Sequence, residues 1–170
     1  MTEVGDLISI NGSLVESGIA TYGEVVEDLK NVVSIRDGQA LEIKELIIDL
    51  PIPNEIPATT TFEHVTVQLL QVSKASIVHH DDEDLIYQAQ MNILAHGTSV
   101  GPVLIEPKQK SIHVTYRKGE RPVLYRKELI LGILSSHGTP QTAYYRIMTK
   151  AVKLSEKKRI ALLSDISDTL

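Results

Sequence analysis

Alternation of apolar and polar residues is the feature that most constrains how this chain folds. In residues 85–95 one parity carries the apolar side chains Leu85, Tyr87, Ala89, Met91 and Ile93. The other parity carries Gln88, Gln90 and Asn92. Successive side chains of a β-strand point to opposite faces of the sheet, so a period of two predicts a strand with one buried face. Residues 64–72, 111–117 and 143–153 repeat this alternation.

A slip of phase interrupts the alternation in residues 40–50. Leu41 and Ile43 share one parity, and the apolar residues that follow take the opposite parity, at Leu46, Ile48 and Leu50. One extra residue near Lys44-Glu45 would return all five to the same face. A β-bulge supplies such a residue, so we predict one here.

Composition supports a sheet protein with an aliphatic core. The 170 residues include 19 Ile, 15 Val and 12 Thr, but 1 Phe and no Trp. Side chains branched at Cβ favour pleated surfaces over helices. The chain has no cysteine, which excludes disulfides, thiolate metal sites and cysteine nucleophiles.

Turn signals separate the predicted strands. Asn11-Gly12 and Asp37-Gly38 each lie between apolar runs and predict tight hairpins, because both dipeptides tolerate positive φ angles. Lys118-Gly119-Glu120 and residues 136–140 close later strands. The Pro-rich segment 51–61 is unsuited to a central strand and predicts a long connection between sheets.

Two segments have helical spacing. In residues 25–33 the apolar positions fit a helix, but four of the five are Val and a turn follows, so helix and strand both remain open. Residues 156–164 predict a short C-terminal helix, with Ser155 as its N-cap and Glu156 favourably placed at its first turn. We expect Ile160 and Leu163 to face the domain, and Lys157 and Lys158 to face solvent.

Apolar residues on both parities of some strands suggest contacts beyond a single core. The run at 129–134 predicts a strand covered on both faces, or one at a subunit contact. Leu70 and Leu94 are predicted on outer faces. Replacing Leu94 or Ile130 by Asp is therefore expected to weaken assembly.

Charge divides the chain into two unlike segments. Residues 1–107 have a net charge of −13 and residues 108–170 one of +8. The simpler interpretation is that acidic and basic strands become neighbours in one domain. The alternative is a basic face, including Lys150, Lys153 and residues 157–159, that contacts another subunit, anionic lipid or the genome.

No pattern of residues predicts a catalytic, cofactor-binding or metal site. Residues 79–84, His-His-Asp-Asp-Glu-Asp, offer metal ligands, but consecutive residues rarely converge, so a solvated loop is the preferred interpretation. Ser135, Ser136 and His137 are adjacent, whereas a catalytic triad draws its members from separate elements. Residues 97–101 lack the lysine of a phosphate-binding loop.

These strands and turns predict an all-β fold, an antiparallel β-sandwich in the form of a jelly roll of about eight strands with a short C-terminal helix. Five phrases stand out in this succession, at residues 37–43, 67–73, 128–133, 145–147 and 152–155. The succession resembles the single jelly-roll major capsid proteins of tailless icosahedral viruses of archaea and thermophilic bacteria.

The resemblance implies a non-enzymatic subunit that assembles with copies of itself, and with other virion proteins, into an icosahedral shell. It places the protein in the virion, assembled in the host cytoplasm. We expect one domain over residues 1–170, with residues 1–20 as an N-terminal hairpin or arm and 156–164 as the helix. Neither a transmembrane segment nor a signal peptide is expected. The alternative is a carbohydrate- or ligand-binding β-sandwich module, for which Tyr144-Tyr145 is the best stacking pair. A metal-dependent barrel enzyme using residues 79–84 ranks last.

Overall fold

The computed structural model describes residues 1–51, 61–98, 101–104 and 109–167. This part of the chain forms the following elements in order: β1 (Thr2–Val15), β2 (Gly23–Asp28), β3 (Gln39–Pro51), β4 (Thr61–Leu70), β5 (Leu85–Thr98), β6 (Gly101–Leu104), β7 (Gln109–Thr115), β8 (Val123–Leu124), β9 (Glu128–Ser135), β10 (Thr142–Lys153) and α1 (Glu156–Ser167). The predicted connection at 51–61 lies almost entirely outside the described residues.

The strands form two antiparallel sheets. The first has the order β1-β10-β3-β7, with β8 also paired to β3, and the second has the order β2-β9-β4-β5-β6. Successive strands from β1 to β4 alternate between the sheets, and β9 and β10 then insert beside β2 and β1. This arrangement is the jelly roll, so the predicted fold class is confirmed.

One aliphatic cluster fills the space between the sheets. The predicted inward residues of β3, β4 and β10 lie in it, and most of their side chains are almost fully buried. At 25 cal/mol per Å² of apolar area, burial of each Leu or Ile contributes about 1.5–3 kcal/mol. The alternating segments therefore supply the main stabilisation of the sandwich.

The predicted bulge is present in β3. Met148 of β10 pairs with Glu45, and the next residue, Thr149, pairs with Ile43. Lys44 is thus the extra residue, and its carbonyl oxygen accepts a hydrogen bond from the Tyr116 backbone N–H at 2.9 Å. The bulge keeps the apolar side chains of β3 in the core on both sides of the slip.

The predicted hairpin at Asn11-Gly12 is wrong. Both residues lie inside β1, where Asn11 pairs with Arg146 and Gly12 with Tyr145. Residues 1–20 are therefore mainly one long strand, not a hairpin. A Cβ on Gly12 would lie 2.3 Å from the Tyr145 hydroxyl oxygen, so this glycine provides space for a ring and does not form a turn.

The ambiguous segment 25–33 divides into strand and turn. Its first residues belong to β2, and the Val33 backbone N–H then donates to the Leu29 carbonyl at 2.8 Å. A single helical turn of this kind explains the helical spacing without a helix.

Asp37-Gly38 forms the predicted turn, with Gly38 at a φ of 72°, and Gly119 of the later turn has a φ of 100°. The strand predicted directly before Asp37-Gly38 is reduced to an isolated bridge between Ser34 and Gln39, so the predicted hairpin of two strands is wrong.

The C-terminal helix is present, but it presents a different face from the one predicted. Leu162 packs against a small cluster of Ala40, Val152 and Leu154 on the first sheet. Ile160 is 59% exposed and Leu163 is 39% exposed, so neither lies in the core. Ala151 is the last residue of β10 that packs against the main core, and the next side chain, Val152, points away from that core. Helix α1 covers Val152 on this outer side.

The apolar run at 129–134 is covered on both faces within the subunit. Its odd-numbered residues lie in the main core, while Ile130 is buried on the outer side. Segment 71–84 folds over that side, where the Gln68 side chain bonds Ser76 and Val78 of the segment. Leu70 is likewise buried. The prediction that Leu70 and Ile130 form outer contact surfaces is wrong, and the Leu94 side chain lies outside what the structure describes.

Candidate assembly surface

The acidic run His79–Asp84 forms a turn-rich loop whose charges are paired locally. Lys74 Nζ lies 2.8 Å from the Asp84 carboxylate and 3.5 Å from that of Asp82. These contacts raise the pKa of Lys74, mainly through its hydrogen bond to Asp84. Among the described residues, no group of three or more His, Asp or Glu side chains could hold a metal ion. Since Lys74 belongs to the same segment 71–84, these pairs hold that segment together.

Buried polar residues near the end of β9 also serve the fold. The Glu16 carboxylate accepts hydrogen bonds from the Ser135 N–H at 2.6 Å, the Ser135 hydroxyl at 2.8 Å and the Gln141 N–H at 2.7 Å. His137 Nδ1 accepts the Thr139 N–H at 3.1 Å. The Ser135 oxygen is thus engaged by a carboxylate that joins β1, β9 and β10, and it is 2% exposed as a residue. This geometry suits a structural clamp and not a nucleophile.

Ion pairs join the acidic and basic parts of the chain inside one subunit. Glu3 of β1 lies 2.9 Å from Arg121 and 3.1 Å from Lys150, and Arg121 also lies 2.9 Å from Glu42. The hydrogen bond from Lys150, followed by that from Arg121, lowers the pKa of Glu3 to about 2. The expectation that acidic and basic strands become neighbours is confirmed at these positions.

The outer face of the first sheet is covered by α1 at Ala40 and Val152, whereas Asn11, His113 and Arg146 on the same face are exposed. Its central row runs across the strands through Asn11, Arg146, Ile47 and His113. The adjoining row contains Tyr144, which is 53% exposed, whereas Tyr145 is buried, so the predicted stacking pair Tyr144-Tyr145 is wrong. The His113 ring bonds the Glu45 carboxylate across this face. The result is an open, mixed surface with one prominent aromatic side chain.

Strand β1 forms an exposed edge of the same sheet. Its register with β10 shifts between Glu3 and Leu7, where Gly5 has a φ of 79°. Beyond this irregularity, residues Leu7–Val15 run without interruption along β10. Leu7 is 55% exposed and Val15 is 48% exposed. An edge strand with apolar side chains and unpaired backbone groups is a site for another strand.

A groove of about 730 Å³ lies beside α1. Val33, Tyr125 and Leu163 contribute apolar surface to it, and Arg36 and Glu128 contribute charge. Leu163 therefore borders this groove and not the core, which accounts for its partial exposure.

Sequence reasoning missed the surface that stands out most. The predicted contact residues Leu70 and Ile130 are buried, whereas Leu7 and Val15 of β1 are among the exposed apolar side chains of the described chain. The sequence does contain a signal for this surface, because residues 7–15 alternate between apolar and polar side chains and include no charged residue. The mistaken turn at Asn11-Gly12 concealed it by dividing one edge strand into two short ones.

Comparison with known proteins finds similarity in structure alone. No family model and no curated protein matches the sequence. Human polyomavirus 6 VP1, solved as a pentamer, matches with a TM-score of 0.53 at 8% identity over 91% of this chain and 99% of that chain. Merkel cell polyomavirus VP1, in complex with GD1a oligosaccharide, gives 0.51 at 8% identity over 90% and 99%. KI polyomavirus VP1, described as an unassembled pentamer, gives 0.50 at 7% identity over 91% and 99%.

At such identities the likeness is one of fold. The chain shares the jelly-roll β-sandwich of viral capsid proteins. These three similar structures are polyomavirus proteins, so the comparison supports a resemblance to jelly-roll viral capsid proteins and does not support one to viruses of archaea and thermophilic bacteria in particular. No helix in the described ranges is long and apolar enough to cross a membrane.

Proposed function

We propose that the protein is a structural subunit that assembles with copies of itself into an icosahedral viral capsid shell. The observation that carries this proposal is the jelly-roll strand order combined with an exposed edge strand that is uncharged over Leu7–Val15. The VP1 capsid proteins that share the fold support it, and two of them are described as pentamers. A non-enzymatic role belongs to the same proposal.

The uses of the polar residues favour a structural role. Asp82 and Asp84 hold segment 71–84 together through Lys74, Glu16 and Ser135 close one end of the sandwich, and Glu3 joins β1 to β3 and β10. Each of these clusters is accounted for by contacts within the subunit. A functional site must therefore be sought on the surface of the subunit, and a shell subunit acts through its surface contacts.

Electron microscopy combined with light scattering tests the shell directly. The purified chain is concentrated stepwise and imaged at each step. We expect closed particles of uniform diameter above a threshold concentration, with smaller species below it. A chain that stays monomeric throughout, alone and with virion partners, would contradict the proposal.

The alternative carbohydrate-binding module is favoured by one observation. Tyr144 is an exposed aromatic ring beside Arg146 on an open sheet face, and aromatic rings stack on sugars. The Merkel cell polyomavirus structure contains a bound oligosaccharide. Titration with sialylated oligosaccharides separates the two functions. Binding that is lost in Tyr144→Ala but retained in Tyr125→Ala, without any particles, would favour the module.

The same proposal includes contacts with other virion proteins, anionic lipid or the genome. It also includes a place in the virion, assembly in the host cytoplasm and a kinship with tailless icosahedral viruses of archaea and thermophilic bacteria. Part of the basic stretch is engaged within the subunit, since Lys150 pairs with Glu3 and Arg159 bonds the Arg36 carbonyl. Lys153 and Lys157 remain exposed. Flotation with anionic vesicles and DNA retardation at low salt, each compared with Lys157→Gln, measure these contacts.

A further inference from the structure

The uncharged part of β1 lacks the features that protect edge strands from pairing. Natural edges carry charge, proline, a bulge or a covering segment. Residues Leu7–Val15 contain no charged residue and no proline, and the irregularity at Gly5 precedes them. Within the described chain, β1 pairs with β10 alone. One long side of this strand therefore offers backbone N–H and C=O groups to another strand as far as Ser13, and the Val15 carbonyl oxygen beyond it lies against Gly23 of β2.

The other described edges carry such features. β2 contains Glu24, Glu27 and Asp28 within six residues, and β7 contains Lys110 and His113. β6 contains Pro102. The contrast within one molecule indicates that β1 is left open for pairing, whereas the other edges are guarded.

The sequence of this edge is complementary to itself when two copies run antiparallel. With Asn11 opposite Asn11 of the partner subunit, Leu7 faces Val15 of the partner subunit and Ser9 faces Ser13 of the partner subunit. On the core side, Ile8 faces Leu14 of the partner subunit. Apolar side chains thus meet apolar ones and polar meet polar, which is the arrangement that stabilises cross-strand pairs.

Neighbouring registers lose this match. A two-fold axis at Ile10 would place Leu7 opposite Ser13 of the partner subunit. An axis at Gly12 would place Ser9 opposite Val15 of the partner subunit. A shift of register by a single residue would also set the outer face of one strand against the inner face of the other. The axis at Asn11 is therefore the favoured one.

From this self-complementarity we propose that β1 pairs with β1 of a second copy across a two-fold axis at Asn11, joining the first sheets of two subunits. The inference deepens the proposed self-assembly and rests on it, because it names one of the contacts between neighbours. Such an isologous contact uses the same patch on both subunits and closes after two copies. Other contacts must then extend the pairs into a shell.

Single cysteines test the axis cleanly, since the natural chain has none. Asn11→Cys is expected to form a covalent dimer on mild oxidation, because its Cβ atoms would lie about 4.5–5.5 Å apart across the axis. Ser9→Cys alone should not form a covalent dimer. The two cysteine side chains at position 9 would lie four residues apart along the paired strands, a distance of about 13 Å. The double variant Ser9→Cys/Ser13→Cys should again cross-link.

Ser111→Cys on β7 is the matched control, because Ser111 is also exposed on the outer face of an edge strand. At micromolar protein, pairing raises the effective thiol concentration to the millimolar range, so Asn11→Cys should oxidise about a thousandfold faster than the control. Equal rates would overturn the two-fold contact. Circular dichroism confirms that each variant is folded.

Asn11→Lys supplies an independent measurement. It sets two ammonium groups opposite each other at an exposed position, so sedimentation should show loss of the dimer, whereas Ser111→Lys should retain it. A dimer that persists in Asn11→Lys would overturn the contact. Particles that form without Asn11 cross-linking would overturn it while leaving the shell function intact. Cross-linked dimers that never grow further would uphold the contact and count against the shell.

Discussion

Two glycines in the sandwich are explained by the space that a tyrosine ring occupies. A Cβ on Gly132 would lie 2.1 Å from the Tyr22 hydroxyl oxygen, and one on Gly12 would lie 2.3 Å from that of Tyr145. Tyr22 Oη also accepts a hydrogen bond from Gln68 Nε2 at 3.0 Å. Glycine in a sequence indicates a turn or a close approach, and only the partner across the strand decides which. That partner is invisible until the strand register is known.

Gly12→Ala is expected to destabilise the protein. The added methyl overlaps the Tyr145 ring, which is nearly buried and bonded to Glu27, and overpacking of this kind costs about 1–3 kcal/mol. Gly138→Ala is the matched control, because a Cβ there meets nothing within 4 Å. Urea denaturation gives both free energies of unfolding. Equal values for the two variants would contradict this role of Gly12.

At the scale of elements, the sequence predicts the features that depend only on whether apolar residues occupy the odd or the even positions of a strand. The slip in β3 could be found because its apolar residues change parity, and Lys44 is indeed the extra residue. The face of α1 could not be found in the same way. Ile160, Leu162 and Leu163 are all apolar, so more than one rotation of the helix offers an apolar face. The position of the helix over Val152 selects Leu162.

Leu162→Ala is expected to loosen α1 from the sheet, at a cost of about 1 kcal/mol for a partly buried leucine. Ile160→Ala removes a similar side chain from an exposed position and serves as the control. Hydrogen exchange of the α1 amides measures the difference. Faster exchange in Ile160→Ala than in Leu162→Ala would show that the helix packs on the face originally predicted.

The attachment of β1 to its sheet should depend on pH through Glu3. Its pKa in the folded protein is lowered to about 2 from 4.5 by Lys150 and Arg121. The stabilisation is therefore fully present above the unfolded-state pKa and is lost as the pH falls from about 5 to about 2.

Denaturation midpoints across this pH range test the role of Glu3. Glu3→Gln should flatten the decline, because it removes the titrating carboxyl group. Asp6→Asn removes one acidic charge from the same strand and controls for net charge. A decline of the same steepness in Glu3→Gln and the wild-type protein would contradict the assignment.

For the whole molecule, the class of fold could be predicted more fully than the surface. Alternating segments and turn signals predict two packed sheets in a jelly roll, and the resemblance to capsid proteins agrees with them. Which strand lies at an edge depends on the strand order, and β1 becomes an edge because β10 returns beside it. The charge asymmetry is likewise resolved by topology, since β10 brings Lys150 next to Glu3.

Because ion pairs join the two unlike segments inside the subunit, assembly should rest mainly on apolar and backbone contacts. Sedimentation velocity of the purified chain, across a concentration series in 0.1 M and about 1 M salt, tests the central claim most directly, since the Debye length falls from about 10 Å to about 3 Å. We predict one closed, fast-sedimenting particle in equilibrium with small species, persisting at the higher salt. A single monomeric boundary at every concentration and both salt levels would contradict the account of the protein as a shell subunit.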